Sequence, residues 1–296
     1  MPLSSIAFML LSTFSLSVTS LLVKLLSDTL PADILNSARF FFPTLVMVPL
    51  LFMRRTGLPQ GKQWLVIALR GCSLLFSQMC LLYAMQHASY FEAVVLFSTG
   101  PLFMALIEAL VFRARLSGLT LFSLLLAFSG VVIQTGGGEF TFSAALVVGL
   151  GAGFFNAISQ LVMHRMIRAG MPNLGLNGLS LAAAWLISLP MITSHSVTLA
   201  ADNLTSVTIM MLLAMGLTIS SSQTSRAKAY RTAESSSLLS PLIFTNLVFA
   251  FIWQLMLFNE SFSTTKVMGL TIIVAACLLR SLEPLARRIT VQRLRN

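Results

Sequence analysis

Apolar residues run in long blocks along this chain, and short polar or Gly/Pro-bearing breaks divide them. Crossing a hydrocarbon core of roughly 30 Å takes about 20 apolar residues per helix. Suitable blocks fall at 5–26, 33–53, 63–85, 90–112, 117–135, 142–164, 174–193, 205–226, 235–258 and 265–283. The pattern predicts an all-α membrane protein with ten transmembrane helices. The second five blocks echo the first five. Ser77-Gln78 and Ala84 in the third block recur as Ser222-Gln223 and Ala229 in the eighth, at a common offset of 145 positions. Glu92 and Pro101 in the fourth block are matched by Glu234 and Pro241 in the ninth, and Arg115-Leu116-Ser117 by Ser261-Phe262-Ser263. An odd number of helices per repeat forces the two copies to cross in opposite directions. The expected units are therefore two inverted five-helix repeats, residues 1–136 and 140–285, followed by a basic tail, 286–296. Gly136-Gly137-Gly138 is the expected hinge between them, or a plain flexible loop. Inverted repeats commonly mark secondary transporters that hold substrate near the midplane.

Composition narrows the class. Hydrophobic residues make up 56% of the chain and charged residues 9%, against about 25% charged in a soluble protein. No stretch is long and polar enough for a separate soluble domain. The net charge of +10 would suit nucleic acid, but its distribution argues for a membrane instead. Arg54, Arg55, Lys62, Arg113, Arg115, Arg165, Arg168, Arg226, Lys228 and Arg231 crowd alternate connections, as do the tail arginines. Asp28, Asp33, Glu139, Asp202 and Glu260 mark the other side. This positive-inside pattern predicts cytoplasmic termini. The first block has no preceding Lys or Arg and a long apolar run, so it is expected to remain as a helix rather than be cleaved. Cys72, Cys80 and Cys277 lie inside blocks and read as packing residues.

Candidate chemistry begins with charges inside the blocks, since one at the bilayer centre costs about 2.5–3.5 kcal/mol on insertion scales. Arg70 is expected either to line a substrate path or to snorkel to the interface. Arg39 is expected as a gate residue, or as an anchor paired with Asp28 or Asp33. Glu92 could pair with Arg39 or Lys24, or take up a proton. Glu234 holds the corresponding place at the opposite side, so Arg39, Glu92 and Glu234 form a gating or coupling set. Glu108 reads as interfacial. Asn156 and Gln160 lie four apart and share a helix face. Ser220 to Ser225 form an unbroken polar run that cannot all face lipid, and serves either a cavity or close helix packing. The expected substrate-binding set is Arg70, Gln78, Tyr83, Asn156, Gln160, Ser222, Gln223 and Asn246. His87, His164 and His195 are scattered, so no metal site is expected. Gly136 to Gly138 lack the lysine of a phosphate loop. No cofactor and no catalytic residues are expected.

Several short motifs carry a resemblance. They are Ala38-Arg39-Phe40-Phe41-Phe42, Leu82-Tyr83-Ala84-Met85, Gly100-Pro101-Leu102-Phe103, Ala229-Tyr230-Arg231-Thr232-Ala233-Glu234, Ser240-Pro241-Leu242 and Phe258-Asn259-Glu260. Together, over about residues 5–283, the chain resembles the EamA-like ten-helix branch of the drug/metabolite transporter superfamily. Asn259 stands where the family has glycine, and Ala114 where it often has glutamate. The resemblance implies an inner-membrane secondary transporter of a small polar or zwitterionic metabolite, with export the expected direction and alternating access the mechanism. Arg70-Gly71 also resembles a subset that includes S-adenosylmethionine carriers, so import or exchange of an adenine-bearing metabolite is the alternative. A membrane-embedded enzyme or lipid-handling protein is the rival from another class. The expected partners are a small-molecule substrate and membrane lipids, without nucleic acid. The sequence leaves a homodimer open.

Overall fold

The computed structural model describes residues 3–54, 58–112, 118–134, 144–232, 240–243, 245–258, 264–265, 267–276 and 279. Among them every regular element is helical. In chain order these are α1 (Leu3–Ser27), α2 (Ala32–Met53), α3 (Gln63–His87), α4 (Tyr90–Phe97), α5 (Gly100–Phe112), α6 (Gly118–Gln134) and α7 (Ala144–Arg168). After them come α8 (Asn173–Ser188), α9 (Ser194–Asp202), α10 (Ser206–Thr232), α11 (Ser240–Ile243) and α12 (Thr245–Leu257). A further apolar helix, α13, spans Val267–Ala276. Among the described residues, seven helical stretches are long and apolar enough to cross a bilayer: Ser4–Ser27, Ala32–Met53, Gln63–His87, Tyr90–Val111, Ala144–Ile167, Asn173–Met191 and Ser206–Arg231. The hinge glycines Gly136 to Gly138, Glu234 and the basic tail lie outside the described residues.

Three features depart from the sequence pattern. The block at 90–112 is not one rod: α4 ends at Phe97 and α5 begins at Gly100. Pro101 has no backbone N–H to donate into the preceding turn. The hydroxyls of Ser98 and Thr99 turn back onto the carbonyls of Val94 and Leu96, at 2.8 and 2.6 Å. The connection after the seventh block, expected as a loop, contains helix α9, capped by the Thr193 hydroxyl accepting from the Ser196 N–H. And α10 runs on to Thr232. Arg226, Lys228 and Arg231, assigned above to a connection, are therefore helical.

The helices pack in a definite pattern. α1 lies most extensively against α10, and α3 against α7; α2 packs on α8 and α10, and α3 also on α8. α7 contacts both α4 and α5, while α1 contacts α11 and α12. Small residues set the close approaches. A Cβ on Gly149 would meet Leu96 Cδ1 at 2.6 Å, and one on Gly216 would meet Phe42 Cβ at 2.6 Å. Gly130 of α6 sits against Gly269 and Ile273 of α13. Such positions let helix backbones approach where lipid supplies no hydrophobic drive for association. Leu35, Leu81, Met85, Val94, Leu96 and Met215 belong to the largest buried apolar cluster, with exposed Leu, Phe and Met side chains on the outer faces.

Candidate functional site

The polar interior begins with α1, whose Ser/Thr-rich sequence faces α10. Ser12 and Ser222 exchange hydroxyl-to-carbonyl hydrogen bonds, both 2.9 Å. Ser15 meets Ser221 at 3.1 Å, and Thr19 meets Thr218 at 2.9 Å. Thr13 meets Thr245 of α12 at 2.7 Å. Ser222 is thus engaged in helix packing, the second of the two roles open to the serine run. Its neighbour Gln223 is half-buried, and its side-chain oxygen has no hydrogen-bond partner. Asn246 of α12 is buried with its oxygen likewise unpartnered.

Arg70 lies inside α3 and is 1% exposed, so it does not snorkel. Its guanidinium turns inward to α8, donating to Asn177 Oδ1 at 2.6 Å and to the Leu176 carbonyl at 3.3 Å. It also reaches Met163 Sδ on α7, at 3.4 Å. Asn177 is in turn held by Asn173, one helical turn earlier. The Arg70 Nε has no hydrogen-bond partner.

Arg226 follows Ser222 by four residues on α10, so it shares that face. It is 7% exposed. Its Nε donates to Ser12 Oγ at 3.3 Å, while Nη2 has no partner. Sequence reasoning missed Arg226 and Asn177. The signal for Arg226 was its fourfold spacing from Ser222, continuing a polar stripe past the end of the apolar block.

Arg39 of α2 is 4% exposed and donates through Nη2 to Gln78 Oε1 of α3; its Nη1 is unpartnered. The expected ion pairs with Asp28 or Asp33 are not what holds it. Asp33 instead accepts from the backbone N–H groups of Ile34 and Thr193, at 2.9 and 3.2 Å. Gln78 lies eight residues beyond Arg70, about 12 Å along α3 at 1.5 Å per residue. The two guanidiniums therefore mark different depths. Glu92 closes a capping box at the start of α4, its Oε2 accepting from the Ser89 N–H at 3.2 Å. Lys24 donates to the Met85 carbonyl at 3.0 Å. Asn156 and Gln160 share a face as expected, with Gln160 Nε2 3.4 Å from Asn156 Oδ1 and Gln160 Oε1 unpartnered. Tyr83 stands apart from this interior. It is 37% exposed and stacks on His87, ring centroids 4.1 Å apart.

The buried side chains thus supply cationic donors and neutral acceptors on several helices. Among the described residues, the hydrogen-bonding partners of the three buried guanidiniums are neutral. Residues 3–135 match the family described as EamA-like transporter family. Over that segment the chain is similar to the EamA-like transporters. The pseudopaline exporter CntI of Pseudomonas aeruginosa (strain UCBPP-PA14) is 26% identical over 277 residues, covering 93% of this chain and 95% of the relative. Human solute carrier family 35 member G1 is 28% identical over 174 residues, covering 54% of this chain and 47% of the relative. These relatives are members of the drug/metabolite transporter superfamily. A solved crystal structure aligns with 96% of this chain and 98% of its own, at a TM-score of 0.60 and 19% identity, a likeness of fold alone. The apolar helices and these transporter relatives together mark the chain as a multi-pass membrane protein.

Proposed function

We propose that this EamA-like chain is an inner-membrane secondary transporter with cytoplasmic termini. It moves a small polar or zwitterionic metabolite, in the export direction, by alternating access of two inverted five-helix repeats. The packing pattern carries the reading. Exchanging first-repeat helices for their second-repeat counterparts turns the α1–α10 seam into the α7–α3 seam. It turns α2–α10 into α8–α3, and α1 with α11 and α12 into α7 with α4 and α5; α2–α8 maps onto itself. Inverted repeats of this kind commonly enclose a midplane site that opens to each side by rocking of one unit against the other. Arg70, Gln78, Asn156, Gln160, Gln223 and Asn246 are the residues we assign to the path. Arg39 and Glu92 belong to its gating end. The breaks in the α4–α5 rod supply a bending point. A full-length relative named as an exporter supports the direction.

Flux tests this directly. Proteoliposomes holding the purified chain, filled with a bacterial small-molecule extract, should release at least one polar metabolite faster than protein-free liposomes, as read by mass spectrometry. Identical leakage across the extract would reject a transport role. Topology is a separate expectation. Reporter fusions after Arg55 and Arg115 should read cytoplasmic, and one after Gly137 should read external. A cytoplasmic Gly137 contradicts the inverted arrangement.

A further inference from the structure

We propose that Arg70 and Arg226, one from each half of the chain, together bind an oxyanion: a carboxylate or phosphate group carried by the transported solute. The inference rests on the transporter reading above. Both guanidiniums are more than nine-tenths buried. Each keeps one N–H group without a hydrogen-bond partner, at Arg70 Nε and Arg226 Nη2. Removing an ion from water costs several kcal/mol even after relaxation, and here two like charges are buried toward one end of the bundle.

Their surroundings converge. Arg70 reaches Met163 at 3.4 Å. Met163 belongs to a buried cluster against which Tyr230 packs, and Tyr230 lies one helical turn beyond Arg226 on the same face. The two arginines also share one end of the bundle. Arg70 is seven residues from the start of α3, and Arg226 six from the end of α10. Among the described residues, Asn177, Leu176, Met163 and Ser12 are their hydrogen-bond partners, and all are neutral. The described part of the layer is therefore short of negative charge. Guanidinium is suited to supply it with an oxyanion, because its planar donors match carboxylate and phosphate geometry in pairs. Donors on opposite halves also make the bound anion a bridge between the units that alternating access must move.

The test uses the purified full-length chain in detergent and reads thermal stability against sodium citrate, glutamate and phosphate, with sodium chloride at matched ionic strength. At least one oxyanion should raise the melting temperature saturably. Arg70→Lys and Arg226→Lys should each weaken its apparent affinity at least tenfold. Arg226→Gln, which removes the charge, should abolish the saturable shift altogether, a loss that a purely structural arginine would not give. Nanodiscs of phosphatidylglycerol against phosphatidylcholine separate the sources: an arginine-dependent shift from phosphatidylglycerol alone assigns the oxyanion to a headgroup. No saturable shift with any anion or lipid, or a shift that survives both lysine variants, overturns the proposal. So does anion binding that appears only in Glu234→Gln, since Glu234 would then neutralise the pair. Binding without flux would instead remove the transport reading and leave the subsite standing.

Discussion

Gly153→Val should strip most of the folded protein from the membrane. Gly153 lies on the face of α7 that meets the break between α4 and α5. A Cβ there would fall 2.6 Å from Thr99 Oγ1 and 2.9 Å from the Leu96 carbonyl. Neither neighbour yields easily. Thr99 Oγ1 is bonded to that same carbonyl at 2.6 Å, and Leu96 is fully buried. Overpacking a filled core costs about 1–3 kcal/mol and sometimes more, and valine adds two further methyl groups to the clash. Gly118→Ala is the control, because nothing lies within 4 Å of its Cβ position. The monodisperse fraction on fluorescence-detected size exclusion should collapse for Gly153→Val and hold for Gly118→Ala. Equal recovery of both would mean that α7 does not press on the broken helix.

A second large effect is expected at Gln78. Its side-chain oxygen accepts from the buried Arg39 guanidinium. A hydrogen bond to a charged group contributes about 1.5–3 kcal/mol, and a buried group left without its partner bears the desolvation penalty as well. Gln78→Leu should therefore lower the melting temperature by several degrees. Arg39→Met should be milder, because it removes the charge along with the bond. In the double variant, Gln78→Leu should cost far less than it does alone. Additive losses in this cycle would show that the two side chains do not depend on each other.

The apolar blocks were legible because length and hydropathy are local properties. α1, α2, α3 and α7 lie within a few residues of their expected spans. The missing detail is tertiary. Nothing in the composition of α1 says that Ser12, Ser15 and Thr19 face α10 rather than lipid. Arg226 looked like a loop cation because hydropathy falls at that point, yet the helix continues through it. Arg39 seemed to need a carboxylate, and only the α2–α3 geometry shows Gln78 in that position. Asn177 was passed over because a single Asn in an apolar block is ambiguous until its neighbour across the bundle is known. Tyr83 sits in a family motif, but its register on α3 turns it outward onto His87.

The hydroxyl-lined α1–α10 seam differs in kind from its α3–α7 counterpart. Thr13 has the Leu10 carbonyl within reach at 3.0 Å, Thr19 that of Ser15 at 2.8 Å and Thr218 that of Met215 at 3.0 Å. Each of these threonines has a carbonyl on its own helix to fall back on when its cross-helix partner withdraws. Interhelical hydrogen bonds in membranes average only about 0.6 kcal/mol. These threonines can slip without stranding a bare hydroxyl, whereas Ser12 and Ser222 hold each other's backbone carbonyls. The opposite seam has Ser77 bonded directly to the Ala152 backbone at 2.8 Å, with Gly149 and Gly153 wedged beside it against Leu96 and Thr99. Both seams are fastened by serine-to-carbonyl bonds, but only one is lined with threonines that have a carbonyl in reserve, so two halves of similar outline need not be mechanical equals.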